Sequence, residues 1–216
     1  MSKFWILDFE LYLSFGFCHL IFMTKHSQLQ KLNEKMLACS LCALRPTCSR
    51  VVPGAGSANA EIMFIGEAPG KKEDELGVPF VGAAGKFLDE MLGAIKLKRE
   101  DIYIANVCKC RPPNNRDPLP GEVRLCWPWL LQQIKIIQPK LIVTLGRHSM
   151  ERFLPGQKIS AVHGHAMRRD IEGLGPQIFY TLYHPAAALY NGGMRATLLK
   201  DFKKIPKILK KIKEIK

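Results

Sequence analysis

The stretch Ile62-Met63-Phe64-Ile65-Gly66-Glu67-Ala68-Pro69-Gly70 decides how the rest of the chain is read. It opens as an uncharged apolar run, the pattern of a strand buried on both faces. It stops abruptly in a turn rich in glycine, which lets a backbone bend sharply and approach a ligand closely. Glu67 is the one acid in that turn and sits where the strand gives out. In open α/β sheets, ligands bind outside the carboxyl ends of the strands. Three further runs read the same way. Asp101 to Ala105 ends at Asn106, Lys140 to Leu145 ends at Gly146, and Gln177 to Tyr183 delivers His184-Pro185.

Between these runs lie helical patterns. Ala84 to Ile95 presents Phe87, Leu88, Met91, Leu92 and Ile95 on one face. Glu122 to Ile137 is a second helix, bounded by Pro139, and another starts at Ser149. A helix over Ser27 to Leu37 precedes the first strand. Residues 195–216 carry Leu198, Phe202, Ile205, Ile208, Leu209 and Ile212 at helical spacing. Strands alternating with helices predict an α/β sandwich with a mostly parallel sheet. The charged stretch Lys71 to Gly77 reads as exposed, and the basic stretch Ile159 to Arg169, with His163 and His165, as irregular. Cys108 to Pro118 reads as a long basic loop because of its prolines. Val78 to Gly82 is a turn presenting Phe80.

The first 26 residues stand apart. Phe4 to Met23 is hydrophobic but carries Asp8 and Glu10 and lacks a small-residue cleavage site, so it fits neither a secretory leader nor a membrane span. We read residues 1–26 as an atypical extension, with Met23 as an alternative start, and residues 27–216 as one domain. With no secretory leader and seven cysteines, the thiols are expected to be reduced and the protein cytoplasmic. Nothing in the pattern requires more than a monomer.

Charge narrows the partner. The formal net charge is +13 over 216 residues, and residues 195–216 alone set nine basic residues against Asp201 and Glu214. Such a balance favours a polyanion, nucleic acid above all. The ordinary alternative for the C-terminal run is a solvated helix face.

Two constellations carry chemistry. Cys39 and Cys42 form a Cys-x2-Cys pair, and Cys110 and Cys126 form a second pair. Four thiolates suit zinc or an iron–sulfur cluster, and spacing does not choose between them. Cys18, Cys48 and Cys108 read as small buried hydrophobes, although Cys48 and Cys108 lie close enough in sequence to compete for a ligand position. The second constellation is Glu67, Asn106 and His184 at strand ends, with Phe80 as an aromatic face. A carboxylate orients water or stabilises a developing cation. An amide offers the donor and acceptor that a pyrimidine edge requires. A histidine donates to an oxygen that becomes negative as a leaving group departs. Taken singly, each has a plainer reading as a turn cap or a satisfied loop residue.

Taken together, Gly66-Glu67-Ala68-Pro69-Gly70, Pro79-Phe80-Val81-Gly82, Tyr103-Ile104-Ala105-Asn106, Lys109-Cys110-Arg111-Pro112-Pro113 and His184-Pro185-Ala186 closely resemble the type-4 uracil-DNA glycosylases over about residues 30–205. The resemblance implies a three-layer α/β/α sandwich with a central four-stranded parallel sheet. It implies hydrolysis of the N-glycosidic bond of deoxyuridine in single- or double-stranded DNA, releasing uracil and leaving an abasic site. It implies a structural 4Fe-4S cluster on Cys39, Cys42, Cys110 and Cys126. By position, Gly66, Glu67 and Ala68 lie at the pocket, Phe80 stacks on uracil, Asn106 reads its edge and His184 contacts its carbonyl oxygen. Glu67 and His184 are the catalytic pair.

The chain also departs from that pattern. A leucine that wedges into the vacated base stack is common four residues after the His-Pro histidine. Ala188 stands there, with Leu189 and Tyr190 as its possible substitutes. Ala105 stands where threonine is common. A related branch traps the abasic sugar through a histidine after the second strand, where this chain has Cys110-Arg111-Pro112-Pro113, so covalent trapping is not expected. The rival reading is a non-catalytic DNA-binding or iron–sulfur module on the same scaffold. A zinc protein is a third.

Overall fold

The computed structural model describes residues 23–214, so residues 1–22, with Cys18 and most of the set-apart N-terminal stretch, lie outside it. In chain order the elements are α1 (Lys25–Leu37), β1 (Ala55–Gly56), β2 (Ile62–Gly66), α2 (Lys71–Leu76), α3 (Ala83–Ala94), β3 (Tyr103–Asn106), α4 (Pro120–Ile137), β4 (Leu141–Leu145), α5 (Arg147–Phe153), α6 (Ile159–Val162), β5 (Ala166–Ile171), β6 (Gly175–Leu182), α7 (Ala187–Tyr190), α8 (Gly192–Phe202) and α9 (Ile205–Glu214). The first helix starts at Lys25 because Thr24 caps it, its hydroxyl accepting from the Ser27 N–H at 3.2 Å.

Among the described residues the strands form one six-stranded sheet in the order β1-β3-β2-β4-β6-β5. The expected four-stranded sheet is its centre: β3, β2, β4 and β6 run parallel, while β1 and β5 add antiparallel edges. The four-strand expectation is corrected on that point. The edges escaped the pattern because β1 is only two residues long and β5 is largely exposed, with no apolar alternation. The stretch from Ile159 is likewise ordered rather than irregular, forming α6 and then β5. Lys71 to Leu76 is helical, and its Asp74 is buried, accepting from the Ser49 N–H at 2.9 Å.

Period-two alternation along the central strands builds a core on each face. On one side Met63, Ile65, Ile142 and Phe179 meet α1, α4 and α5. On the other Ile62, Phe64, Val143, Tyr180 and Leu182 meet α3, α8 and α9. Phe202 of α8 stacks on Phe64, ring centroids 5.6 Å apart at 12°. The α/β/α layering is therefore as read. Among these residues no helix is long and apolar enough to cross a membrane.

The parallel register brings the strand ends level: Gly66 faces Asn106, and Leu145 faces Leu182. The chain leaves β2 for β3 on one side and has β4 on the other, so β2 is where the strand order reverses and a crevice opens. Glu67 is the first residue beyond it.

Because Phe202 is wholly buried between the sheet and the C-terminal helices, Phe202→Ala should cost about 3–5 kcal/mol of stability. A matching drop in the urea unfolding midpoint, at unchanged slope, is the expected result.

Candidate active site

Phe80, Asn106 and His184 converge on the end of β2, and Gly66 is the pivot. A Cβ added to Gly66 would lie 2.4 Å from Asn106 Oδ1 and 2.8 Å from Phe80 Cζ, so only glycine admits both side chains this close. The Phe80 and His184 ring centroids are 5.7 Å apart, tilted by 31°. Ala68 packs against the core beneath the turn.

Phe80 is held there against its backbone preference. Its φ is +53°, a conformation that bulky residues rarely adopt. The Arg99 guanidinium donates to the Phe80 carbonyl and, at 3.1 Å, to that of Pro79. Asp89 anchors the same guanidinium through an N–H···O contact of 2.6 Å. From the other side Glu73 Oε1 accepts from the Val81 and Gly82 N–H groups, both at 2.9 Å. Gly85 completes the clamp, since a Cβ there would sit 1.8 Å from the Phe80 carbonyl oxygen.

Asn106 is buried, and its Oδ1 has no partner among the described residues. A buried acceptor left unpaired costs on the order of 1–3 kcal/mol, so it is poised to take a ligand N–H. Its backbone carbonyl accepts from the buried Lys109 ammonium at 2.8 Å. Lys109 also donates to Gln133 Oε1 at 2.6 Å, and Gln133 in turn donates to the Pro53 carbonyl and the Tyr103 hydroxyl. Burial pushes the Lys109 ammonium down to about 8.

His184 Nδ1 accepts from the Ala186 N–H at 3.1 Å. The neutral ring therefore carries its proton on Nε2, a donor. Burial pushes the imidazole down to about 4, with the His148 ring acting the same way and Glu73 opposing. It is neutral at pH 7.

Glu67 lines a small cavity with Val107, Pro118, Val123, His148 and Arg152. Its Oε1 is buried without a hydrogen-bond partner. Burial, then the Asp117 charge, pushes the carboxyl up to about 7, while Arg147 and Arg152 pull it down. His148 and Asp117 are the neighbours that the sequence motifs did not mark. The one signal for His148 is that it lies two residues after Gly146, close to a strand end.

The four cysteines expected to act together do line one cavity, with Met36, Leu44, Val51 and Trp129 among its walls. The six described cysteines are all unpaired. Cys48 and Cys108, read as separate hydrophobes, are buried against this cradle, within hydrogen-bonding reach of Cys110 and Cys126 respectively. Cys126 also accepts from the Lys109 N–H at 3.2 Å. The Cys108 thiol and the Lys109 charge hold Cys126 down near 7 against burial, while burial pushes Cys42 and Cys110 up. Among the described residues no three thiol sulfurs lie within 4.8 Å of one another. A single tetrahedral zinc needs sulfur–sulfur edges of about 3.8 Å. The donor set fits a larger soft-metal cluster better than one ion.

Tyr190, the last residue of α7, is 90% exposed, Leu189 is 44% exposed, and Ala188 is buried at 8%.

Comparison with known proteins agrees with this architecture. Residues 53–213 match the model of the uracil DNA glycosylase superfamily. The chain is 47% identical over 182 residues to a type-4 uracil-DNA glycosylase of Sulfurisphaera tokodaii, covering 82% of this chain and 83% of that protein. It is 46% identical over 183 residues to that of Archaeoglobus fulgidus, covering 82% and 91%. To that of Thermotoga maritima it is 40% identical over 190 residues, covering 87% and 98%.

The His184 ring should remain uncharged far below the usual histidine range. Its imidazole C–H resonances, followed by NMR against pH, should titrate near 4. A midpoint above 6 would contradict the buried, Nδ1-accepting arrangement.

Proposed function

The chain belongs to the type-4 uracil-DNA glycosylases, and on that premise we propose that it hydrolyses the N-glycosidic bond of deoxyuridine in DNA, releasing uracil and leaving an abasic site. The observation that carries the assignment to these residues is the convergence of Phe80, Asn106 and His184 on Gly66, the residue before Glu67 in the chain.

Each group has a task its surroundings suit. The target base leaves the stack and enters the site, at a cost of a few kcal/mol. The Phe80 ring, clamped by Arg99 and Glu73, stacks on the pyrimidine. Asn106 Oδ1, buried and unpaired, accepts from the uracil N3–H, and the Asn106 amide N–H2 donates to an adjacent carbonyl. Cytosine has no N–H at that ring position, so the same amide discriminates against it. As the C1′–N1 bond breaks, its electron pair passes to uracil, and the neutral His184 Nε2–H donates to the carbonyl oxygen that gains charge. Glu67, when ionised, orients water toward C1′ and stabilises the oxocarbenium-like sugar. Exposed Arg147 and Arg152, and the wider positive charge, attract phosphates.

Cys39, Cys42, Cys110 and Cys126 would hold a 4Fe-4S cluster. When bound, such a cluster supplies thiolate–iron bonds that cross-link the Cys39–Cys42 segment, the loop after β3 and α4. The thiol spacing supports it over zinc. The cluster role is structural, since the cradle and the Glu67 cavity share no lining residue.

The assay is release of uracil from an oligonucleotide, run with iron and sulfide analysis. Cluster-loaded protein is expected to leave abasic product, with an acid limb near pH 7 set by Glu67. The sign follows from its role: the active form is the carboxylate, so the rate rises as pH climbs through about 7. Glu67→Gln should erase that limb and lower the rate by roughly 100-fold. No product from loaded protein, with DNA binding intact, would favour a non-catalytic DNA-binding module. Zinc in place of iron would overturn the cluster.

Tyr190 is the residue exposed enough to fill the gap left in the duplex, the place where Ala188 is buried and too small. Tyr190→Ala should therefore slow uracil release from duplex DNA about tenfold, equivalent to about 1.4 kcal/mol, and leave single-stranded substrate within about twofold. Equal losses on both substrates would rule out the wedge.

A further inference from the structure

Glu67 has company at the end of β2. Its carboxylate, the Asp117 carboxylate and the His148 imidazole bring their ligand atoms within 4.8 Å of one another. They come from three separate segments: the turn after β2, the loop after β3 and the first turn of α5. The arrangement has a direction. Arg147 Nε–H donates to His148 Nε2 at 3.1 Å, so the neutral ring carries its proton on Nδ1, and Asp117 Oδ2 lies 3.2 Å from the same Nε2. Arg147 Nη2 lies 3.6 Å from the same Asp117 oxygen. The ring is thus pinned on its outer side, and Nδ1 is the nitrogen turned inward, 3.8 Å from Glu67 Oε1. That oxygen is the buried one without a hydrogen-bond partner. Contacts of this kind are often long in ligand-free sites and tighten when substrate closes them.

We propose that His148 is a positioning residue for Glu67: Arg147 holds the ring by donating to Nε2, with Asp117 behind the guanidinium, and Nδ1–H keeps the Glu67 carboxylate aimed at the attacking water during uracil release. The inference rests on Glu67 being the water-orienting group. In the step itself, the water oxygen bonds to C1′ and the C1′–N1 pair leaves on uracil. Glu67 takes the water proton. His148 touches neither sugar nor base and exchanges no electrons.

Stability does not account for the cluster. Asp117 and Arg147 are both exposed by more than half, and ion pairs in that setting add little to folding. What the cluster does is surround one carboxyl with opposed charges. Asp117 faces it from the loop, and His148, Arg147 and Arg152 face it from α5. Burial and Asp117 favour the protonated form, and the two arginines favour the ionised form.

The test is single-turnover uracil release across pH, with uracil-DNA affinity measured separately on cluster-loaded protein. His148→Ala should lower the plateau rate about tenfold with affinity changed less than about twofold. His148→Asn, whose amide reaches the place of Nδ1, should recover most of the loss. Asp117→Asn should move the acid limb to lower pH, and Arg152→Gln should move it higher. Asp117 and Arg152 are exposed, so these two variants report even if His148→Ala fails to fold. Combining His148→Ala with Glu67→Gln should add little to Glu67→Gln alone. An active parent whose His148 and Asp117 variants keep its rate and profile overturns the positioning role alone. A loaded parent that releases no uracil overturns the reading of Glu67 and this inference together.

Discussion

Lys109 is 2% exposed, and its ammonium is fixed between the Asn106 carbonyl and Gln133 Oε1. A buried cation without such partners would be expelled or deprotonated. Here the desolvation cost is offset by two short hydrogen bonds and by thiols close by, Cys126 and Cys108, whose charge favours the protonated lysine. The same residue donates its backbone N–H to Cys126 and accepts from the Val52 N–H at 2.7 Å. One side chain and its peptide groups therefore join the end of β3, the loop before β1, α4 and the thiol cradle. The cradle's Cys110 and the Asn106 amide stand four residues apart on one segment. Anything that loosens the cradle reaches the amide through Lys109.

The other side of the pocket is organised by strain instead of charge burial. A phenylalanine at φ +53° costs on the order of 1–3 kcal/mol and persists only where its surroundings over-determine it. Arg99, Glu73 and Gly85 do so from three directions. The ring is consequently fixed before any ligand arrives, which spares binding the entropy of ordering it. Glu73 serves twice, since its charge also opposes the fall in the His184 proton affinity. Aromatic face, amide and imidazole are thus preorganised by separate local devices that meet only at Gly66.

How much of this was legible follows from which forces act locally. The central strands could be read because burial on both faces forces continuous apolar runs, and Glu67, Asn106 and His184 could be read because they end those runs. The edge strands could not. β5 contains Arg168, Arg169 and Asp170, and its pairing with β6 is decided by the turn at Gly173 and by the sheet it joins. Lys109 reads as part of a long basic loop, because nothing in its neighbours reveals that Gln133, 24 residues on, waits beneath it. His148 and Asp117 lay in unremarkable polar stretches and acquire meaning only from their distance to Glu67. Charge–charge proximity across segments leaves no periodic trace.

The electrostatics of the molecule divide by range. The groups that converge at Gly66 are uncharged at pH 7: a phenyl ring, an amide and a neutral imidazole. The cations, among them Arg147 and Arg152, stand outside at the rim. Exposed charges act over about a Debye length and are screened by salt, roughly 8 Å at physiological ionic strength, whereas buried dipoles act at contact and are not. For an enzyme that must scan much DNA and cut one kind of nucleotide, this separation lets salt govern how tightly the polyanion is held without altering which base is accepted. Glu67 is the one group at the boundary. It is buried enough to hold its proton near neutrality, yet it is within reach of Asp117 and the rim arginines, so their balance sets the fraction of molecules whose Glu67 is ionised.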